Sequence, residues 1–265
     1  MPQRTAATVR AMDDATLARL EHRNMLEWLR ISCGQVAGAL IRIEEGVGVF
    51  ASGVPKPLFN QVVTGDGAAD AAVVLAVEEV GARSVPFCVV LRRGVDDRFA
   101  PRVLQLGLRH HRGVMPGMAL DPIPFDVEAS DVHLDIRVVD DETGLGDHVA
   151  ATARGFDIPI AMVRDFVGRE LWLHPGCTVY VGTLDGEPVT SGLAVRTGRM
   201  IGLYMITTIP EVRGRGFGDA MTRRIVADGA AAGCDVAALQ ASDMGRPIYE
   251  RIGFRAVIEY DIYVG

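Results

Sequence analysis

Lysine is almost missing from this 265-residue chain: Lys56 is the only one, and 26 arginines supply the rest of the basic charge. Long apolar runs are missing too. The longest, Ala71 to Val77, has seven residues, against about 18 needed to span a bilayer, so no membrane segment is expected. No apolar core precedes or follows Asp13 and Asp14 closely enough to read as a secretory signal. The four cysteines (Cys33, Cys88, Cys177, Cys234) form no CxxC pair, which argues against a zinc site and against a dense disulfide framework. A cytoplasmic protein without a metal is the expectation. Excess positive charge is also absent. The formal net charge is −7, and a chain lacking a basic surplus is poorly suited to nonspecific nucleic-acid binding.

What is present is ordinary globular composition, 49% hydrophobic and 23% charged, which excludes a largely disordered or collagen-like chain. The charge divides unevenly. Residues 1–125 hold 14 basic and 13 acidic residues, whereas residues 126–265 hold 13 basic and 21 acidic. The Pro122- and Pro124-containing acidic stretch from Asp121 to Asp131 is the expected linker between two units, 1–125 and 126–265.

Periodicity predicts a helix over Asp13–Ser32, with Leu17, Leu20, Leu26 and Leu29 on one face and Asp13 or Asp14 as cap. Short strands follow within Gln35–Ser52, then a helix over Ala68–Ala82, a buried strand over Val85–Leu91, a helix over Arg98–His111 and a strand over Gly113–Leu120. Beyond the linker, His133–Val139 reads as a strand, and Glu142–Arg154 and Pro159–Leu171 as helices. Cys177–Leu184, Pro188–Val195 and Met200–Thr208 read as strands, the first two joined by the hairpin signal Asp185-Gly186. A helix over Gly216–Ala232, a strand over Asp235–Gln240, a short helix over Pro247–Ile252 and strands within Phe254–Tyr263 complete the chain. Each half closes on helix, strand, helix, strand, which suggests a divergent tandem repeat; any two α/β units share that much at this level of detail.

The most chemical stretch is Thr207-Thr208-Ile209-Pro210-Glu211-Val212-Arg213-Gly214-Arg215-Gly216-Phe217-Gly218. It lies between a predicted strand and a predicted helix, where glycines let successive N–H groups point at an anion and the helix dipole favours negative charge. Arg213 and Arg215 suit a phosphate or pyrophosphate. The P-loop ending and the GxGxxG order are both missing.

Arg213, Gly216 and Gly218 match the Gln/Arg-x-x-Gly-x-Gly/Ala signature of the GNAT N-acetyltransferase superfamily. The segment Leu239 to Phe254 resembles that family's C-terminal motif, with Tyr249 on a helix ahead of Gly253-Phe254. Residues 131–265 carry the resemblance well. The first half resembles a degenerate relative, with Gly65-Asp66-Gly67 at the loop position and no matching arginine. The resemblance implies an α/β (α+β) fold of tandem GNAT-like domains, each a mixed, mostly antiparallel central sheet flanked by helices. It implies acetyl-CoA as co-substrate, with the backbone of Gly214, Arg215, Gly216, Phe217 and Gly218 on the pyrophosphate and Ile206, Thr207 and Thr208 beside the pantetheine arm. It further implies an oxyanion held by a backbone N–H near Ile206, Tyr249 as proton donor to the leaving thiolate, and a small-molecule or peptide amine as acceptor. Two positions depart from the pattern: Ser242 stands where such motifs often carry Asn, and Arg199–Ile209 contains no carboxylate to act as base. A CoA-binding module without turnover is the alternative, and monomer or homodimer is left open.

Other residues have plainer readings. Tyr249 also suits a core aromatic. Glu211 reads as a cap or solvated charge, His110 and His111 as a solvated helix end, His174 as turn chemistry, and Trp28 and Trp172 as core. The nine acids from Asp121 to Asp147 face a single Arg137 and read as a solvated face.

Overall fold

The computed structural model describes residues 11–124, 126–128 and 130–265; positions 125 and 129 of the expected linker lie outside them. The first helix, α1 (Asp14–Cys33), starts where the Asp13 carboxylate accepts the Thr16 amide at 2.7 Å, an N-cap that satisfies one of the orphan donors of the first turn. It is followed by β1 (Leu40–Glu44), β2 (Val47–Ala51), β3 (Asn60–Thr64), α2 (Asp70–Gly81), β4 (Cys88–Arg92), α3 (Ala100–Gln105), β5 (Arg109–His110) and β6 (Met115–Leu120). The second half runs β7 (Asp135–Val138), α4 (Glu142–Phe156), α5 (Ile160–Phe166), α6 (Arg169–Trp172), β8 (Cys177–Leu184), β9 (Glu187–Thr197), β10 (Met200–Thr208), α7 (Phe217–Ala231), β11 (Val236–Gln240), α8 (Arg246–Ile252) and β12 (Arg255–Val264).

Three elements differ from expectation. The helix expected to reach His111 stops at Gln105, because Gly107 turns the chain at φ +90° and Arg109–His110 pair with β12 instead. His110 is therefore a strand residue, its ring 2.9 Å from the Asp261 carboxylate. The helix expected over Pro159–Leu171 breaks at Val167-Gly168 into α5 and α6. Strand β3 carried no clear sequence signal.

The described residues form one mixed, largely antiparallel sheet of order β1-β2-β3-β4-β12-β6-β11-β10-β9-β8-β7, with β5 beside β12. Only β3–β4 and β10–β11 run parallel among its pairs. Each encloses one helix, α2 or α7, as parallel pairing requires a crossover. Three antiparallel steps, β4 to β12 to β6 to β11, separate the two parallel pairs, so they point in opposite directions. The halves also exchange strands. β6, from the first half, sits between β11 and β12 of the second, and β12 adds to β4 of the first. A cut at residues 125 and 126 therefore divides the chain but not the sheet.

Side-chain alternation explains the two covered faces. Val63, Val90, Leu193 and Tyr204 turn to a core with α1, α4 and α5. Their neighbours Val62 and Val89 meet α2, and Ala194 and Leu203 meet α7 through Met221 and Ile225. All four cysteines are free, and among the described residues no helix is long and apolar enough to cross a membrane.

Candidate functional site

Strands β10 and β11 pair only at Met200–Gly202 against Val236–Ala238. Beyond that register β10 continues to Thr208 and β11 to Gln240 with no further pairing, so the two strands open into a fork. On the other side of β10 the ladder with β9 shifts between Tyr204 and Thr207. Met205 and Ile206 face the single residue Gly192 there, and Met205 takes φ +52°. This is a β-bulge, which bends the strand and takes backbone groups out of the ladder. The sequence therefore places its irregular backbone at Met205 and Ile206, inside the mouth of the fork.

The chain leaves the fork through a short 3-10 turn at Pro210–Val212, then Gly214 at φ +78° and Gly216 at φ +84°. Both angles lie where an L side chain is strained. Gly216 is the N-cap of α7 and supplies no capping side chain, so the first-turn N–H groups of Phe217, Gly218 and Asp219 face outward without a side-chain acceptor. A 15-residue helix entered by glycine in this way is suited to an anion.

The two arginines of the loop are not equivalent. Arg213 Nε donates to the Thr208 carbonyl at 3.0 Å and Nη2 to the Gly155 carbonyl of α4 at 2.6 Å. Its guanidinium braces the loop against the strand and α4 through Nε and Nη2. Arg215 lies over the Phe217 ring at 5.0 Å and is exposed. Thr207 is buried, its carbonyl accepting from Thr190 Oγ1 at 2.6 Å, and Thr208 Oγ1 stands 3.4 Å from the same hydroxyl. Glu211 forms an exposed pair with Arg154 at 3.4 Å. Its own backbone N–H, then Arg154, hold its carboxyl below the usual range, so it is a solvated charge.

Tyr249, on α8, packs edge-on to Phe254 and against the same core as Ile206. Burial pushes its phenol up to about 12, so it is a protonated donor at neutral pH. Its hydroxyl has no hydrogen-bond partner among the described residues. Ser242 acts locally: its Oγ accepts the Gly245 amide at 3.2 Å and its carbonyl accepts Gly245 and Arg246, which starts α8.

A second group of residues lies on the α1 face beside the fork, and the sequence reading passed over it. Glu21 is 0% exposed. Its Oε1 accepts from Gln240 at the end of β11, and its Oε2 from the Tyr260 hydroxyl at 2.5 Å. It sits over Gly117 of β6, where an added Cβ would meet the carboxylate at 2.8 Å. Burial is the main cause that raises the Glu21 carboxyl to about 7. Tyr204, next to the bulge, donates to Asn24 Oδ1 at 2.6 Å, and Asn24 donates to the Val195 carbonyl and Thr197. One signal was available: Glu21 follows Leu17 by one helical turn, a charge on the apolar stripe.

Residues 182–263 match the family described as FR47-like protein. Among solved structures the chain is similar to a GCN5-related N-acetyltransferase from Kribbella flavida, with 13% identity and a TM-score of 0.67 over 91% of this chain and 93% of that one. It is similar to a GCN5-related N-acetyltransferase from Sphaerobacter thermophilus, with 14% identity and a TM-score of 0.57 over 97% and 94%. It is also similar to a GCN5-related glucosamine N-acetyltransferase region in a fungal multi-domain GH3 beta-N-acetylglucosaminidase, with 12% identity and a TM-score of 0.65 over all of this chain and 39% of that one. No curated protein matches the sequence.

Proposed function

The chain has the GCN5-related N-acetyltransferase fold, and from that premise we propose that it moves an acetyl group from acetyl-CoA to a primary amine. The observation that carries the reading is the fork between β10 and β11, bulged at Met205 and Ile206 and continued into an uncapped helix N-terminus. The backbone from Gly214 to Gly218 would take the pyrophosphate. Ile206, Thr207 and Thr208 would pair with the extended pantetheine arm as an edge strand does. This assignment gives the anion to backbone donors and Arg215, with Arg213 holding the loop in shape.

In the reaction a neutral amine attacks the thioester carbonyl carbon. The C–N bond forms, the C–S bond breaks, and the amine proton leaves as the thiolate gains one. A backbone N–H at the bulge would stabilise the oxyanion, which is worth most in a site closed to water. Tyr249, protonated and without a competing acceptor, would deliver the proton to sulfur. Isothermal titration with acetyl-CoA tests the reading directly; one-to-one binding is expected, and none at high micromolar ligand would end it.

The absence of a carboxylate along 199–209, with Glu211 in an ion pair, favours one other reading: a module that binds CoA without turnover. Free-thiol release across a panel of amines separates the two. Release that depends on the amine supports transfer, and binding with no release under any acceptor supports the module.

A further inference from the structure

The parallel pair of the first half, β3 and β4, has different surroundings from β10 and β11. There a cavity of about 230 Å³ opens between α1, the β1–β2 hairpin and the end of β3. Arg19, His22, Arg23, Asp66 and Arg92 supply its polar lining. Arg92 is committed to Asp96 at 2.8 Å and Asp66 at 2.6 Å. Arg19 and Arg23, exposed and one turn apart on α1, form no ion pair among the described residues. The His22 ring is 5% exposed, and its Nε2 is a buried atom without a hydrogen-bond partner, lying near Gly65.

We propose that this first-half cavity is a binding site for a small oxyanion, held between Arg19 and Arg23 with His22 Nε2–H as the inner donor, and that its binding takes up a proton at Glu21. The coupling follows from a chain of hydrogen bonds with two self-consistent polarities. His22 Nδ1 stands 3.1 Å from the Tyr260 hydroxyl, which stands 2.5 Å from Glu21 Oε2. With Glu21 ionised, Tyr260 donates to the carboxylate, His22 Nδ1–H donates to Tyr260, and Nε2 is a bare lone pair that repels an anion. With Glu21 protonated, its hydroxyl donates to Tyr260, Tyr260 donates to Nδ1, and the ring proton moves to Nε2. Gln240 donates to Oε1 in both states. Bound anion and protonated Glu21 therefore stabilise each other, by reciprocal linkage.

The surrounding charges are consistent with a neutral His22 ring in both states. Arg92 of β4, Asp96 beyond it and Asp66 after β3 face the ring, and the Thr64 carbonyl lies near it; burial first, then Arg92, lowers its pKa to about 4. Tyr260 of β12, Gln240 of β11 and Tyr204 of β10 face Glu21. Within the chain of hydrogen bonds from Gln240 to His22, the Glu21 carboxyl is the group brought near neutrality, at about 7.

Sulfate is the probe, because it does not titrate between pH 5.5 and 8.5. Calorimetric titration of the full chain is expected to show saturable binding that weakens by up to tenfold per pH unit above about 7. In Glu21→Gln the amide donates to Tyr260 permanently, so binding is expected to stay at its low-pH strength throughout. The surface variant Arg19→Ala/Arg23→Ala, checked for folding by circular dichroism, is expected to lose at least tenfold in affinity, whereas Arg215→Ala keeps it. The proposal is overturned by absence of saturable binding at pH 6, by binding that Arg215→Ala removes and the double variant keeps, or by a pH dependence that Glu21→Gln leaves intact. None of these outcomes bears on acetyl-CoA binding, which is read separately.

Discussion

Replacing Glu21 with Gln isolates the energetic cost of the buried carboxylate. The side chain is 0% exposed, and burial raises its carboxyl from 4.5 to about 7. In the unfolded chain it ionises near 4.5, so between pH 4.5 and 7 the folded state binds more protons than the unfolded state. Stability is then fully present below pH 4.5 and declines as pH rises through the folded value. A carboxyl raised from 4.5 to about 7 corresponds to roughly 3 kcal/mol lost by pH 8. His22 acts in the opposite sense, since its value falls from 6.5 to about 4: its contribution is present above 6.5 and is lost toward acid. The difference between wild type and Glu21→Gln removes contributions common to both chains. Urea unfolding at pH 5 and pH 8 is expected to give similar stabilities at pH 5. At pH 8 the variant is expected to be the more stable by about 3 kcal/mol, or about 6 to 12 °C in melting temperature for a chain of this size. Parallel stability curves for the two proteins from pH 5 to pH 8 would refute the claim that Glu21 is a buried, titrating carboxyl.

Three further outcomes are expected. Tyr249→Phe, which removes a hydroxyl that no described residue uses, should lower thiol release by about 10²- to 10⁴-fold, the span typical of general acid catalysis, with CoA affinity and melting temperature unchanged. Gly216→Ala forces a side chain onto φ +84° with its Cβ 3.0 Å from Val132; about 1 to 2 kcal/mol of stability and at least tenfold in acetyl-CoA affinity should be lost, read by chemical unfolding and titration. Asn24→Ala strands the Tyr204 hydroxyl in a buried layer, which should cost about 1 to 3 kcal/mol in urea unfolding.

The β10–loop–α7–β11 unit was legible because every part of it has a local cause. Leu203 and Tyr204 alternate between two apolar faces, Gly214 and Gly216 supply positive φ, and Gly233 with φ +89° ends the helix region. The hairpin at Asp185-Gly186 was readable for the same reason, both residues taking positive φ. Long-range pairing had no such signature. Nothing in Met115–Leu120 says that it will lie between β11 and β12, and Arg109–His110 read as helix because the partners that make it a strand, Val264 and Tyr263, lie at the far end of the chain in β12. The diversion of Arg213 was hidden as well, since the Gly155 carbonyl that holds it belongs to another helix. Glu21 was the most readable of the missed residues: a carboxylate on an apolar stripe must be paired, neutral or functional.

The strand exchange explains why that carboxylate is placed where it is. Helix α1 belongs to the first half by sequence, yet Leu17 packs with Met200, Val236 and Ala238, and Trp28 stacks on Tyr204 at 4.9 Å. One helix thus covers the root of the β10–β11 fork and, through His22, also reaches the cavity at the end of β3. Between them lie β6 and β12, the two exchanged strands, and the chain Gln240–Glu21–Tyr260–His22 crosses that interval. Two unexchanged units side by side would have put solvent or a loop boundary there. Exchange instead makes the centre of the sheet continuous, so its polar groups are desolvated and must satisfy one another. That requirement selects a hydrogen-bond chain in which Glu21 is held by Gln240 on one side and by Tyr260 on the other, with His22 at its far end.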